Sequence, residues 1–367
     1  MIPLFKVHMP ESVKDSMMKT LLSGYIGQGP KVEEFERAIA PWVGSPNALT
    51  VNTCTSALRL AMRLAGVGPD TEVVTTPVTC VATNSPIMEQ HADITWADVN
   101  PWTGCIDPLD VERKIVPGRT KAVVAVHWGG YPCDIDELIK ICRKYGVALI
   151  EDAAHAFGAT YKGRPVGSSM SFACFSFQAI KHITTIEGGL LVCPSMDDYR
   201  NGKLLRWYGI DRETPRKDLR CEEDVKSIGY KYNFNDVGAV IGLEQLKYAK
   251  GILERHGANA AFYTERLAGL KRVQLLRYSP DRLSAYWLFT IRVDDRDSFQ
   301  DFMAKAGIMV SQVHVRNDIH TAFRRFRKNL PGVEEFCAEQ VSIPVGWWVT
   351  DEDRENIAKA IEAWDSR

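Results

Sequence analysis

Residues 147–155 read Val-Ala-Leu-Ile-Glu-Asp-Ala-Ala-His, an apolar run that ends in two carboxylates. A short apolar run of this kind is typical of a strand buried on both faces, as the strands of a parallel sheet are. Similar runs occur on both sides of it, at 49–51, 72–76, 94–97, 122–127, 172–177 and 190–193. We therefore predict seven buried strands, the fifth at 147–151.

Helical patterns separate the predicted strands. The segments 31–43, 56–65 and 134–145 carry apolar residues three to four positions apart, the spacing of one helix face. Asp134 is a good N-cap, and Gly146 stands where a helix commonly ends in a left-handed residue. This alternation of strands and helices predicts an α/β fold with a mostly parallel sheet covered on both faces.

The pattern changes near residue 250. A long helical stretch covers 236–270, and we expect it to be interrupted near Gly251 and Gly257 because glycine is a poor helix former. After it, one strand-like segment is followed by segments with helical spacing, at 288–293, 296–306 and 351–364.

Two domains follow from this change. We predict a large α/β domain at residues 11–250 and a smaller C-terminal α+β domain at residues 251–367. Residues 1–10 are expected to pack with the smaller domain.

Composition excludes several classes of protein. The net charge of −1 over 367 residues gives no bulk basic surface for nucleic acid. No apolar run is long enough to span a membrane, and the first residues lack the apolar core of a signal peptide. Nine cysteines are scattered singly, with neither Cys-x-x-Cys nor His-Glu-x-x-His spacing. We expect a cytoplasmic protein with reduced thiols and no metal site.

A single lysine lies in the stretch 175–189, Phe-Ser-Phe-Gln-Ala-Ile-Lys-His-Ile-Thr-Thr-Ile-Glu-Gly-Gly. A buried lysine has a lowered pKa and can form a Schiff base with a carbonyl, which predicts that role for Lys181. Asp152 ends the strand at 147–151, where a carboxylate can pair with a protonated ring nitrogen. Together these two groups are what pyridoxal 5′-phosphate requires of a protein.

Residues able to bind a phosphate occur at three other places. The segment 51–58 runs from a strand into a helix, and Thr55 can offer its hydroxyl and Ser56 its backbone N–H to an anion. Ser176 ends a buried strand, and Asn233 precedes the long helix. The segment 51–58 and Asn233 are each equally typical of an ordinary helix start. An isolated lysine is likewise typical of a solvated surface.

Taken together, these motifs resemble the DegT/DnrJ/StrS-type sugar-nucleotide aminotransferases, which are fold-type I pyridoxal phosphate enzymes. The segment around Lys181, at 175–189, combined with Asp-Ala-Ala-His at 152–155, is the most specific part of the resemblance. The similar segments spread over nearly the whole chain, at 27–36, 54–58, 152–155, 175–189 and 229–233.

The resemblance implies a role for each candidate residue. Lys181 would hold the cofactor and move the reacting proton, Asp152 would pair with the ring nitrogen, and His155 would contact the ring hydroxyl. The phosphate would be bound by Thr55, Ser56, Ser176 and, from the second chain of a homodimer with shared active sites, Asn233. The segment 314–320, with His314 and Arg316, would contact the acceptor.

Two positions depart from the family pattern. Cys80 stands where the family often has an aromatic residue stacked on the cofactor ring. Cys54 replaces the usual glycine of the phosphate turn, where the backbone must adopt an angle that cysteine can reach.

The reaction implied by the resemblance is transfer of an amino group from glutamate to a nucleotide-linked keto sugar, for amino-sugar biosynthesis. A 4-keto-6-deoxyhexose is the favoured acceptor and a 3-keto sugar the nearest competitor. Two variants keep the fold: a sugar 3-dehydratase, in which a histidine replaces the lysine, and an aminotransferase for a small phosphorylated ketone. Counting back from Thr184 and Thr185 places Lys181, not His182, in the lysine position.

Two further classes of protein fit this sequence less well. A nicotinamide dehydrogenase requires Gly-x-Gly-x-x-Gly after a first strand, and residues 24–29 have the wrong spacing and no preceding strand. A non-catalytic protein with the same fold would not need both Lys181 and Asp152.

Overall fold

The computed structural model describes residues 1–214, 218 and 224–367. The helices in this part of the chain are α1 (Val13–Leu22), α2 (Pro30–Val43), α3 (Cys54–Leu64), α4 (Val81–Glu89), α5 (Pro108–Lys114), α6 (Ile135–Tyr145), α7 (Met196–Arg206), α8 (Asp236–Arg266), α9 (Arg296–Lys305), α10 (Pro331–Glu339) and α11 (Asp351–Asp365).

The strands of the large sheet are β1 (Ala48–Val51), β2 (Glu72–Thr75), β3 (Asp93–Trp96), β4 (Thr120–Val126), β5 (Ala148–Asp152), β8 (Phe172–Ser176) and β9 (Gly189–Val192). The shorter strands of two small sheets are β6 (Thr160–Tyr161), β7 (Arg164–Pro165), β10 (Val273–Leu275), β11 (Arg282–Leu283), β12 (Phe289–Val293) and β13 (Gln340–Ile343).

The seven-stranded sheet has the order β1-β9-β8-β5-β4-β2-β3. Strands β8, β5, β4, β2 and β3 pair in parallel, whereas β9 is antiparallel to both of its neighbours. Each predicted strand of the large domain is present, with ends within two residues of those expected. The prediction of a mostly parallel α/β sheet is confirmed.

Two apolar clusters cover the faces of this sheet. One contains Val73, Val123 and Ile150 with the buried face of α3. The other contains Phe35 of α2 and Phe175 of β8. Each such side chain contributes roughly 1.5–3 kcal/mol when it leaves water, so the apolar runs that predict the strands also supply the core.

Helix α8 is continuous from Asp236 to Arg266, and the predicted interruption near Gly251 and Gly257 is wrong. A Cβ at either glycine would meet open space, so neither position marks a close contact. Each glycine costs the helix about 1 kcal/mol relative to alanine. Burial of apolar residues elsewhere along the helix, including Ile252 and Ala260, outweighs this cost.

Two helix starts differ from the sequence-based expectation. Helix α3 begins at Cys54, two residues early, because the Thr53 side chain accepts a hydrogen bond from the Ser56 N–H and caps it. Asp134 occupies the cap position of α6 but does not cap it. Its carboxylate instead lies 2.8 Å from the Arg282 guanidinium. Gly146 ends α6 with φ 65°, as predicted.

The C-terminal part is built on the antiparallel sheet β10-β12-β13, whose core includes Ile291, Phe299 and Trp364. Residue 250 lies inside α8, and a domain boundary there remains a prediction.

The N-terminal residues contact the C-terminal part of the chain. Ile2 forms a β-bridge with Ile308, and the Trp348 indole N–H donates to the Pro3 carbonyl at 2.9 Å. No helix in the described ranges is long and apolar enough to cross a membrane.

Candidate active site

The candidate site lies where β1, β5 and β8 end, the edge at which open α/β sheets bind ligands. Asp152, the last residue of β5, is only 4% exposed. One carboxylate oxygen accepts a hydrogen bond from the Thr83 hydroxyl at 2.7 Å, and the other accepts the Ala154 N–H at 3.1 Å. Burial raises the pKa of Asp152. The two hydrogen-bond donors and the nearby Lys181 amine oppose this rise. The carboxylate keeps lone pairs free for a further donor.

Lys181 lies in the loop between β8 and β9, residues 177–188, which we call the lysine loop. Its Nζ is 3.5 Å from the centroid of the Trp287 ring. Burial lowers the pKa of Lys181 to about 8, although Cys54 and Asp152 nearby favour the charged form. At pH 7 roughly a tenth of the amine is then neutral, against less than about a thousandth for an ordinary lysine, so the amine is a usable nucleophile.

His155 stacks on the same indole. Its ring lies 3.9 Å from the Trp287 ring, with 23° between the planes. Burial lowers the pKa of His155 well below its usual value, so the imidazole is neutral. Its buried Nδ1 has no hydrogen-bond partner among the described residues. An unpaired buried nitrogen is costly, and a bound hydroxyl would satisfy it.

The turn between β1 and α3 forms the phosphate end of the site. The Ser56 N–H donates to the Thr53 hydroxyl at 3.0 Å, and a phosphate contact of Ser56 remains a prediction. The first helical N–H groups, of Cys54 and Thr55, have no acceptor within the helix and are therefore available to an anion, as is the Thr55 hydroxyl.

Gly189 permits the close approach that shapes this turn. A Cβ at Gly189 would lie 2.4 Å from the Thr53 carbonyl carbon, which leaves room only for glycine. Cys54 has a negative φ and is accommodated without strain in place of the family's glycine.

Ser176 and Asn233 flank the same turn. Ser176 ends β8 and is 7% exposed, and its hydroxyl accepts the Gln178 N–H at 3.3 Å. Asn233 forms a β-bridge with Val51 in its own chain, and its side-chain amide donates to the Phe234 carbonyl at 3.2 Å. Both residues are therefore near the phosphate end, and the chain served by Asn233 stays a prediction.

The loop before α10 brings one of its two predicted residues to the site. The His314 ring is 5.8 Å from the His155 ring, and burial lowers the pKa of His314 to about 4. Arg316, in contrast, makes two 2.7 Å hydrogen bonds to the buried carboxylate of Asp318. Its guanidinium is held by this ion pair, which leaves His314 as the candidate for contact with an acceptor.

His182 points away from this cluster. Its Nε2–H donates to the Ala285 carbonyl at 2.8 Å, and its ring lies 4.8 Å from that of His256. The histidine beside the lysine is thus a buried structural group, and the lysine occupies the site.

Sequence reasoning missed three residues near the site. Thr53 could have been found as the N-cap residue ahead of the helical pattern. Thr83 lies four residues after Thr79, and this pair of hydroxyls soon after the predicted strand at 72–76 is the signal that could have found it. Trp287 gave no signal, because only the folded chain brings it against Lys181 and His155.

The arrangement fits pyridoxal phosphate. The amine, the ring anchor, an unpaired imidazole nitrogen and a helix N-terminus lie around one edge of the sheet, each matching one part of that cofactor. Among the described residues no group of three or more His, Cys, Asp or Glu side chains could hold a metal ion.

Several known proteins are similar to this chain in sequence and in architecture. Residues 8–362 match the DegT/DnrJ/EryC1/StrS aminotransferase family. AtS13 from Actinomadura melliaura is 43% identical with a TM-score of 0.95, over 99% of this chain and 98% of that chain. The sugar aminotransferase CalS13 from Micromonospora echinospora is 39% identical with a TM-score of 0.95, over 99% and 100%.

A third solved structure bears on the cofactor. The PMP form of the putative sugar aminotransferase Spr1654 from Streptococcus pneumoniae is 27% identical with a TM-score of 0.92, over 100% of this chain and 99% of that one. The same protein is also known in a PLP form. The chain belongs to the DegT/DnrJ/EryC1/StrS aminotransferase family. It is a pyridoxal phosphate-dependent aminotransferase with the fold-type I architecture.

Proposed function

We propose that this enzyme transfers an amino group from glutamate to the ketone of a nucleotide-linked sugar, with a 4-keto-6-deoxyhexose as acceptor. The observation that carries the proposal is the buried Lys181 amine beside Asp152, in a chain 39% identical to a sugar aminotransferase. We place the enzyme in the biosynthesis of amino sugars. The eight described cysteines are unpaired, which supports a reducing, cytoplasmic location.

The chain's own groups divide the chemistry among them. When bound, pyridoxal phosphate supplies the electron sink that allows a C–N bond to be made and broken. Lys181 holds the cofactor at rest and, once released, its Nζ takes the proton from the donor's α-carbon. The same nitrogen later delivers a proton to the sugar carbon that becomes aminated. With a pKa of about 8, Lys181 can exchange that proton near neutral pH.

The remaining groups bind and orient. Asp152 holds a proton on the ring nitrogen, and the neutral His155 contacts the ring hydroxyl through Nδ1. We assign phosphate binding to the α3 N-terminus with Thr55, Ser56 and Ser176, and to Asn233. We assign contact with the acceptor to His314, whose ring lies 5.8 Å from the His155 ring.

The dehydratase variant has less support. It requires a histidine in place of the reactive lysine, and His182 is committed to the Ala285 carbonyl. The phosphorylated-ketone variant differs in acceptor only and is separated by experiment.

A half-reaction screen tests the acceptor. Purified enzyme is converted to its amine form with glutamate, freed of glutamate, and mixed with nucleotide-linked 4-keto or 3-keto sugars or with a small phosphorylated ketone. We expect the visible absorbance of the lysine-linked cofactor to return with the 4-keto-6-deoxyhexose, and no such absorbance in Lys181→Ala. Return with the phosphorylated ketone alone would overturn the proposal.

A homodimer with shared sites is part of the proposal. Val81, next to Cys80, and Ile186, at the end of the lysine loop, are 43% and 57% exposed in the single chain. A second chain packed against them would remove apolar surface from water.

Mixing two inactive variants tests whether Asn233 serves the partner's site. In a heterodimer of Lys181→Ala and Asn233→Ala chains, one site keeps both groups if Asn233 acts across the interface. We expect activity to recover on mixing, up to about half of the heterodimer's sites. If Asn233 acts within its own chain, each site carries one defect and no recovery follows.

A further inference from the structure

The Asp152 carboxylate is the end of a buried chain of hydroxyl groups. Thr83 in α4 donates to Asp152 at 2.7 Å, and the Thr83 and Thr79 hydroxyl oxygens are 2.7 Å apart. Thr79, Thr83 and Asp152 are 2%, 1% and 4% exposed, so bulk water does not compete for these bonds.

The direction of the chain follows from proton counting. An ionised carboxylate only accepts hydrogen bonds, and a hydroxyl has one proton to donate. Thr83 therefore gives its proton to Asp152, and Thr79 gives its proton to Thr83. Two hydroxyl dipoles aligned in this way reinforce each other in a buried environment.

Asn317 fixes the start of the chain. Its amide donates to the Thr79 carbonyl at 2.7 Å, and its oxygen accepts from Asn84 at 2.8 Å. The Asn317 backbone N–H also donates to the Pro77 carbonyl at 2.8 Å. Asn317 and Asn84 are fully buried. The loop that carries His314 is thereby joined to the segment that supports the ring anchor.

We propose that Thr83 is a positioning residue for Asp152: the Thr79–Thr83 relay, locked by Asn317, keeps the carboxylate ionised and aimed at the ring nitrogen of the cofactor. This inference rests on the proposed role of Asp152. The relay offsets the burial that disfavours the charged carboxylate. The other titratable groups around Asp152 are Lys181 in the lysine loop, His127 after β4, Cys54 in α3 and Cys174 in β8.

Thr83→Val tests the relay, since it removes the hydroxyl and keeps the shape. We expect the dissociation constant for pyridoxal phosphate at pH 7.5 to rise roughly tenfold, because a hydrogen bond to a charged group is lost. In the bound ¹⁵N-labelled cofactor, the ring nitrogen resonance should move toward that of a neutral pyridine. Thr83→Ser should restore both values. Thr79→Val, one step away, should show a smaller change in the same direction.

Thr120→Val is the matched control. Thr120 is also buried and donates to a buried carboxylate, that of Glu72, at 2.7 Å, but at the opposite edge of the sheet. We expect Thr120→Val to lose thermal stability while cofactor affinity and the nitrogen resonance stay unchanged. Equal changes in Thr120→Val and Thr83→Val would overturn the inference, because a general loss of stability would then explain both.

Asp152→Asn separates the two levels of the inference. If Asp152→Asn shifts the nitrogen resonance and Thr83→Val does not, the relay is wrong while the ring anchor stands. If Asp152→Asn leaves the resonance unchanged, the ring anchor fails and the relay with it. The sugar acceptor takes no part in these measurements, so the acceptor proposal is tested independently.

Discussion

At the residue scale, the reactivity of Lys181 is set by its surroundings. Burial lowers the pKa of its amine to about 8, and the nearby Cys54 and Asp152 counteract the effect of burial. The residue type and its apolar neighbours predict a reactive lysine from sequence. Its contact with Trp287 comes from a residue more than a hundred positions away.

The pH dependence of cofactor capture follows from this pKa. The neutral amine is the nucleophile, so its fraction rises with pH and levels off above the pKa. We expect the rate at which apo-protein captures pyridoxal phosphate, followed by stopped-flow absorbance, to rise to a plateau with a midpoint near pH 8. Lys181→Ala should show no such phase. A midpoint near that of ordinary lysine, about 10.4, would contradict the buried environment.

Trp287 stabilises the ammonium form of that amine. Its ring lies 3.5 Å from Nζ, and its indole N–H donates to the Ile180 carbonyl at 2.9 Å. A cation–π contact contributes about 0.5–2 kcal/mol, so Trp287→Leu should lower the midpoint of cofactor capture by roughly 0.4–1.5 pH units. Trp287→Phe keeps an aromatic face and should stay close to wild type. Equal midpoints in all three proteins would remove the contact from the account.

At the element scale, local pattern and tertiary contact contribute differently. The strands of the large sheet were predictable because their apolar runs are buried on both faces. Helix α4 was missed because Thr-Asn-Ser-Pro disfavours a helix, and Pro86 lies inside it. Tertiary packing against α3 and β3 stabilises α4 in spite of its composition. The uninterrupted α8 was missed for the same reason.

Glycines within α8 provide a test of this reading. Gly251→Ala should raise the free energy of unfolding by about 1 kcal/mol, because the new methyl group meets open space and alanine favours a helix. Gly242→Ala, in the same helix, would place a Cβ 2.6 Å from the Phe35 ring. We expect it to cost about 1–3 kcal/mol. Denaturant unfolding of both variants checks the contrast. A lower free energy of unfolding in Gly251→Ala would show that the space around Gly251 is occupied, for example by another chain.

At the scale of the whole molecule, burial of histidines links stability to pH. His256 is 3% exposed, its Nδ1–H donates to the Tyr286 carbonyl at 2.8 Å, and burial lowers its pKa to about 4. The unfolded chain binds this proton near pH 6.5, well before the folded chain does. Stability is therefore complete above about pH 6.5 and is lost as the pH falls toward 4.

His256→Asn should weaken that dependence. The asparagine amide can keep the bond to the Tyr286 carbonyl but does not titrate. Between pH 7 and pH 4 the wild type should lose roughly 3 kcal/mol more than the variant, by the difference between the two pKa values. Denaturant midpoints measured across this range check it. Parallel curves for the two proteins would place the acid sensitivity elsewhere, for example at His155 or His182.

The sequence by itself determined which residue types stand at the ends of the buried strands. Apolar runs fix the strands, and the direction of a parallel sheet then sends Asp152 and Ser176 to one edge, with Lys181 in the loop that follows. Composition and spacing are local quantities, and these placements depend on little else.

Only the tertiary structure decided the partners of these groups. The Thr83 bond to Asp152, the Trp287 face under Lys181 and the Asn317 lock join residues about 70 to 240 positions apart. The early cap at Thr53 and the pairing of Arg316 with Asp318 likewise depend on which polar groups compete in the folded chain. Burial sets those competitions, because a polar group removed from water takes the partner that packing puts within reach.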